Sequence, residues 1–499
     1  MQRSTSSART ASLLLLVAGS WPLFPAGAAL ADPGASGTEA GAPDFLGAGD
    51  LHLVDPGQLQ FQLPGGPAKP ADLDVQQDLP RRPKSPVLTA TVESLTVFLL
   101  WSNYNRLSGT KEWANVTPAS VRTNLASRWV LDDNEYYVNQ MGHPYQGSFS
   151  FGAARSAGLG FWASTAYPFA FSALWELAGE TERPALNDQI TTTVGGIVLG
   201  EVLYRASDWI RGDGRSLWRQ AVATLLSPVS TVNRTVVVGG DPEPTGPVRL
   251  SAGVGALTST ALDPGSVGVA PSFDLKLTHG VPGSPGWKFD RPFDHFDTEL
   301  LFAATADPVF SLRARGLMVG REFAEVPSGG GLWGLWLSFD LLGPGSRRVS
   351  TSALGVGATG RWALGPALTM EGTAVGSAVL LGASGVTTPV GDRTYRFGPG
   401  AQGVLETSLT FSDRFRAGLD LRPYLVVAAG EPGGRDVLIE GEASARLRVW
   451  GHHALEASTT RTVRWATEAD GTGRMSGATQ LMLSWCWAVE PLGAGLIRG

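Results

Sequence analysis

The stretch Val437-Leu-Ile-Glu-Gly-Glu-Ala-Ser-Ala-Arg-Leu-Arg-Val-Trp450 alternates in character almost residue by residue. In an extended chain successive side chains point to opposite faces. Val437, Ile439, Ala443, Ala445, Leu447 and Val449 therefore share one side, and Glu440, Glu442, Ser444, Arg446 and Arg448 share the other. The run exceeds the roughly 9–11 residues that a tilted strand needs to cross a bilayer. A soluble sandwich also alternates, but it packs its apolar side inward, whereas a membrane barrel turns that side to lipid and lines its lumen with the charged one. The length of this ladder and the tryptophans near strand ends (Trp333, Trp336, Trp362, Trp450, Trp465, Trp485, Trp487) select the barrel.

The same period of two recurs outward from this segment. It is seen at 267–277, 310–316, 335–341, 415–421 and 480–487, with turn residues such as Asp307-Pro308, Pro344-Gly345 and Glu431-Pro-Gly-Gly434 between ladders. The spacing predicts an antiparallel transmembrane β-barrel of about 12 strands over residues 247–489, single-chain bacterial barrels having even strand numbers. The tail at 490–499 fits this pattern less well, since such chains commonly end on a strand with a terminal aromatic.

Composition agrees with an envelope protein. Sixty-four glycines, 16 tryptophans and only 17% charged residues suit a barrel, and a net charge of -6 offers no footprint for nucleic acid. Arg3 and Arg9, an apolar run from Ala11 to Ala18 and the site Ala29-Leu30-Ala31 read as a cleaved export signal over residues 1–31. The expected location is the bacterial outer membrane, with its lipids as partners. Cys486 is the single cysteine, so no disulfide forms within the chain and none is available for lipidation at the cleavage site. Residues 32–85 are rich in Gly, Pro and Ala and read as a disordered arm, with LQFQL at 59–63 as a short strand.

Between arm and barrel the period changes to that of helices, giving an α+β chain with a helical domain at 86–230. Val92, Leu95, Phe98 and Leu99 follow three-and-four spacing. Residues 156–175 (SAGLGFWASTAYPFAFSALW) carry no charge and are long enough to span a membrane. Pro168 and the interspersed polar residues favour a buried core helix instead.

Polar residues in this domain are clustered. NQMGHPYQGS (139–148) contains Asn139 and His143, with Asp132 upstream and Arg155 downstream. Pro144 biases His143 toward an extended or turn conformation. Glu176 and Glu180 are spaced one helical turn apart, Asn187 is placed to cap a helix whose first turn holds Asp188, and Glu201 and Arg205 have ion-pair spacing. Gly196 and Gly200 would admit another helix closely. NQMGHPYQGS, AARSAG, WELAGE, PALND and TVGGIVLGE, in this order over about residues 125–210, resemble a family of uncharacterised bacterial envelope proteins, the domain of unknown function numbered 3943. Ala185 stands where that pattern leads one to expect serine. The resemblance implies the identity of the domain and lends no activity.

The residues themselves leave four readings open. The polar groups form a structural network, or the domain binds a lipid or small-molecule ligand. Alternatively His143, oriented by Glu176 or Asp188, is the general base of a phospholipid or lipid A hydrolase, with Ser148 as a candidate nucleophile. The same residues, supported by Asn139, Arg155, Glu180, Asn187 and Glu201, could instead surround a divalent cation. No metalloprotease or serine-hydrolase motif is present to decide among them. The helical domain is expected either in the periplasm or inserted in the barrel lumen.

Overall fold

A computed structural model describes residues 83–489, except 84, 110–111, 133, 213–215, 238–245, 262–267, 285, 306–308, 327–328, 344–347, 391–392 and 432. The expected export signal, nearly all of the arm with its LQFQL segment, and the tail lie outside the described residues.

Eight α-helices are described before the sheet: α1 (Pro86–Ser108), α2 (Pro118–Ala126), α3 (His143–Ser156), α4 (Phe161–Ser164), α5 (Ala166–Ala178), α6 (Leu186–Arg211), α7 (Leu217–Leu226) and α8 (Pro228–Val232). Local chemistry sets several of their starts. Ser85 accepts a bond from Leu88 N ahead of the proline that opens α1, and Thr117 and Ser120 form a reciprocal capping box at α2.

Twelve strands follow: β1 (Val248–Ala261), β2 (Gly268–His279), β3 (Phe296–Ala303), β4 (Val309–Val326), β5 (Gly329–Gly343), β6 (Val349–Gly365), β7 (Leu368–Val390), β8 (Arg393–Phe411), β9 (Phe415–Val427), β10 (Arg435–Trp450), β11 (His453–Thr467) and β12 (Gly473–Val489). Each pairs antiparallel with its sequence neighbours, and β1 pairs with β12 to close the barrel. The expected strand number and the helical-then-barrel architecture are both observed. Closure leaves no unpaired edge, which is the condition for placing strands in lipid.

Register identifies the two faces. Leu405, Leu421, Leu419 and Leu447 lie on linked rows of β8, β9 and β10, and all are 50–61% exposed apart from Leu421 at 43%. This is the outward side. The opposite rows carry Arg313, Arg315, Asp340, Glu406, Arg422 and Glu440, which face one another across the lumen. Arg313 pairs with Glu440, Arg422 with Glu299 (2.9 Å) and Arg249 with Glu371 (2.9 Å). In the closed order each of these links joins a strand to the one diametrically opposite. Trp336 departs from the expected aromatic girdle. It is buried on the inner face against Leu317, Leu332 and Val375, with its indole donating to Gly357 O, while Trp333, Trp450, Trp465 and Trp487 stay exposed on the outside.

The helical domain is not inserted in the lumen. Its core includes Phe151, Phe161, Ile197, Val198 and Val202 of the helices together with Ala314, Leu337, Phe339, Leu341, Ala383, Tyr395 and Phe397 of the strands. Through the pairings Ala314–Phe339 and Ala383–Phe397, those strand residues belong to the outward rows. The lumen rows are charged and linked by ion pairs across the barrel, so the apolar faces of the helices meet the apolar outer wall instead. Both faces of β5 are consequently buried from Trp336 to Gly343.

The uncovered sector, β9–β12, is suited to lipid and gives a direct test. Leu421→Arg, in the middle of β9, is expected to cost about 2–4 kcal/mol, whereas Leu447→Arg, near the end of β10, costs about 0–1 kcal/mol. The temperature at which the detergent-solubilised protein loses its compact, unboiled gel band measures the difference. Equal costs would place β9 elsewhere than across the bilayer.

Candidate functional site

The chain enters α3 through a π-type turn, Val138–Gly142, in which His143 N bonds to Val138 O. This wider turn admits Pro144 at the start of a helix, and His143 has helical angles (φ -62, ψ -49), not the extended conformation expected from the following proline. Such turns recur at functional sites. Here the turn points His143 at α6, where its Nδ1 lies 3.2 Å from Thr192 Oγ1 and its Nε2 lies 3.6 Å from Asp188 Oδ2.

Asp188 is in the first turn of α6, but Asn187 is not the cap. Ala185 occupies that position, and Asn187 is already helical. Its side chain is taken by Asp132, arriving from far upstream: Asn187 Oδ1 accepts from Asp132 N (2.9 Å), and its Nδ2 donates to Asp132 Oδ1 (2.7 Å) and Asp188 Oδ1 (2.8 Å). Asn139 Nδ2 donates to the same Asp132 oxygen and to Tyr395 OH of the barrel. Glu176, near the end of α5, accepts from Ala185 N through Oε2 (2.8 Å), while its Oε1 has no hydrogen-bond partner.

Glu180 does not share a helical face with Glu176. Helix α5 stops at Ala178, two residues earlier, and Asn124 Nδ2 bridges the backbone carbonyls of both glutamates. The charge-free run at 156–175 is also not one buried core helix. It is divided among the end of α3, α4 and α5, and Trp162 and Phe169 are more than half exposed. Among the described residues no helix is long and apolar enough to cross a membrane.

His143, Glu176 and Asp188 are thus brought together, each offering one ligand atom within 4.8 Å of the others, and all are buried. Burial holds the His143 imidazole neutral, lowering its pKa to about 4 against the opposing pull of Asp132. Burial likewise raises Glu176 to about 8, helped by Asp132 and Glu182 and opposed by the Ala185 N–H. Asp188 and Glu180 are raised well above ordinary carboxyl values, again by burial first and then by neighbouring acids. Sequence reasoning missed Thr192 and Tyr395 as members of this group. Thr192 was within reach of it, since it follows Asp188 by one helical turn on the same face, whereas nothing local marks Tyr395.

Arg155 and Glu201 belong to a second network, about 20 Å further along α6 at 1.5 Å per residue. Arg155 donates twice to Glu201 (2.7 and 3.2 Å), and Arg205 donates to Glu201 (2.7 Å), to Asp294 (3.1 Å) and to Pro292 O (3.0 Å). Burial alone would raise the Glu201 carboxyl, but the two guanidiniums outweigh it and hold it below the ordinary range. This cluster ties α6 to the loop between β2 and β3. Tyr136 OH on Leu342 O and Asn139 on Tyr395 tie the other end. As for a serine hydrolase, Ser148 Oγ is committed to Tyr145 O (2.6 Å), and the hydroxyl beside His143 belongs to Thr192.

Residues 128–229 match the family model described as a domain of unknown function, DUF3943. No curated protein matches the chain. Among solved structures, the barrel half is similar to the CymD monoaromatic hydrocarbon channel at 8% identity, covering 50% of this chain and 89% of that one with a TM-score of 0.23. The KdgM porin in complex with disordered oligogalacturonate shows 9% identity, 48% and 99% coverage and a TM-score of 0.25. The Pseudomonas putida toluene transporter TodX shows 10% identity, 48% and 89% coverage and a TM-score of 0.23.

Proposed function

We propose that this chain is an outer-membrane protein whose barrel anchors rather than conducts, holding the DUF3943 domain within the lipid phase as a structural or lipid-binding element. The observation that carries this reading is the seating of the helices on the outward rows of the barrel, with a periphery that is itself apolar. Val87, Leu88, Val92 and Leu99 of α1, Trp162 of α4, Phe169 of α5 and Trp218 of α7 are all more than half exposed. An exposed apolar surface continuous with a lipid-facing wall marks contact with lipid. The diametric ion pairs in the lumen argue against free passage of solutes.

Two measurements test the reading. In planar bilayers the purified protein should carry no steady ion current, and replacing Arg313, Glu440, Arg422 and Glu299 together by serine should admit one. In a Cys486→Ser background, Val92→Cys and Leu99→Cys should resist a membrane-impermeant maleimide in native membranes. A steady current through the unmodified protein would refute the anchor role, and rapid labelling would take the helices out of the lipid.

A further inference from the structure

We propose that His143, Glu176 and Asp188 form a binding site for a divalent first-row transition-metal ion, with Zn²⁺ the favoured occupant. The inference is independent of whether the lumen conducts. Each of the three side chains has one polar atom fixed by an outer partner, and one ligand atom from each lies within 4.8 Å of the others. His143 Nδ1 is held by Thr192 Oγ1, leaving Nε2 toward Asp188. Asp188 Oδ1 is held by Asn187 Nδ2, leaving Oδ2 toward His143. Glu176 Oε2 is held by Ala185 N, leaving Oε1 fully buried and without a hydrogen bond. Outer partners of this kind orient the ligands of metal sites.

The His143–Asp188 spacing is that of co-ligands, not of a hydrogen bond, and the Glu176 ligand atom lies within 4.8 Å of both. Bonds of about 2.0–2.2 Å at tetrahedral angles put two ligand atoms roughly 3.3–3.6 Å apart, and the His143–Asp188 separation is 3.6 Å. Charge points the same way. The neighbouring charges that weigh most on Asp188 are Asp132, Glu176 and Glu180, and those that weigh most on Glu176 are Asp132 and Glu182, all of them acids. Buried carboxylates without a cationic partner are costly, and a bound cation supplies the missing charge. One imidazole nitrogen among carboxylate oxygens suits Zn²⁺ or its first-row neighbours, whereas Ca²⁺ and Mg²⁺ sites use oxygen alone.

The test uses full-length protein in detergent, stripped with a chelator and titrated with Co²⁺ as an optical probe, then with Zn²⁺ in competition. A single Co²⁺ per chain should bind with a ligand-field absorption band that Zn²⁺ abolishes. His143→Gln should remove the band, and the paired change His452→Gln/His453→Gln on the barrel should leave it intact. Thr192→Val preserves shape and deletes only the hydroxyl that positions the imidazole, so it should weaken binding about 10- to 100-fold with protease resistance retained. Absence of Co²⁺ uptake at saturating probe, uptake that survives His143→Gln, or unchanged affinity in Thr192→Val would overturn the assignment.

Discussion

Glu201→Ala is expected to destabilise the helical domain by about 3–5 kcal/mol, the range for removing one partner from a buried ion cluster. Glu201 is fully buried between Arg155 and Arg205, which are themselves 8% and 7% exposed. Without the carboxylate, Arg155 loses two charge-assisted hydrogen bonds, while its bond to Leu159 O and its position over the Tyr204 ring, 5.0 Å from the centroid, remain. Arg205 keeps Asp294 and Pro292 O and should suffer less. Glu201→Gln retains the shape and one acceptor and should therefore fall between Glu201→Ala and wild type. Limited proteolysis across residues 86–237 reads the effect on the domain, and the heat-dependent gel shift reads the barrel separately. Loss below about 1 kcal/mol in Glu201→Ala would mean that water already solvates this cluster.

The barrel was legible because its physics is local in sequence. A period of two reports which residues share a face, and Val437–Val449 reports it without any knowledge of partners. The same periodicity could not show what covers the apolar row. Leu337, Phe339 and Leu341 read identically whether they meet lipid or helices, so an outward dock and a lumen insertion were indistinguishable until the register was known. Within the helical domain, the i,i+4 pair Glu201–Arg205 was readable, whereas Glu201 and its second arginine, Arg155, were both placed with the wrong cluster. His143, Glu176 and Asp188 lie near one another because their motifs are on helices that pack together. Asn187 was misread as a cap because Asp132, a tertiary neighbour, claims its side chain. Glu180 was misread because α5 ends before it, and His143 because a π-type turn accommodates the proline that follows.

Gly196→Leu should have an even broader effect, separating α3 from α6 and exposing the domain to protease while leaving the barrel closed. A β-carbon at Gly196 would lie 2.7 Å from Gly147 Cα and 2.8 Å from Gly147 C, and one at Gly147 would lie 2.1 Å from Thr192 O. These are backbone atoms and cannot swing aside, so the two helices must part. Overpacking typically costs about 1–3 kcal/mol where side chains can adjust, and more is expected where they cannot. The contact sits beside the His143–Thr192 bond, and the neighbouring Gly195 packs on Pro144 and Phe339, so parting the helices would also open the polar cluster and loosen the seat on β5. Gly160→Ala provides the control: no atom lies within 4 Å of its added carbon, its φ of -66 suits alanine, and it should change stability by no more than about 0.5 kcal/mol. The barrel should survive because the wall that the helices vacate is the apolar one. Leu337, Phe339 and Leu341 would exchange protein for lipid, while the diametric ion pairs across the lumen stay as they are. Concerted loss of the compact gel band and of helical-domain protection in Gly196→Leu would show instead that the barrel cannot hold its shape without the helices on its outer wall.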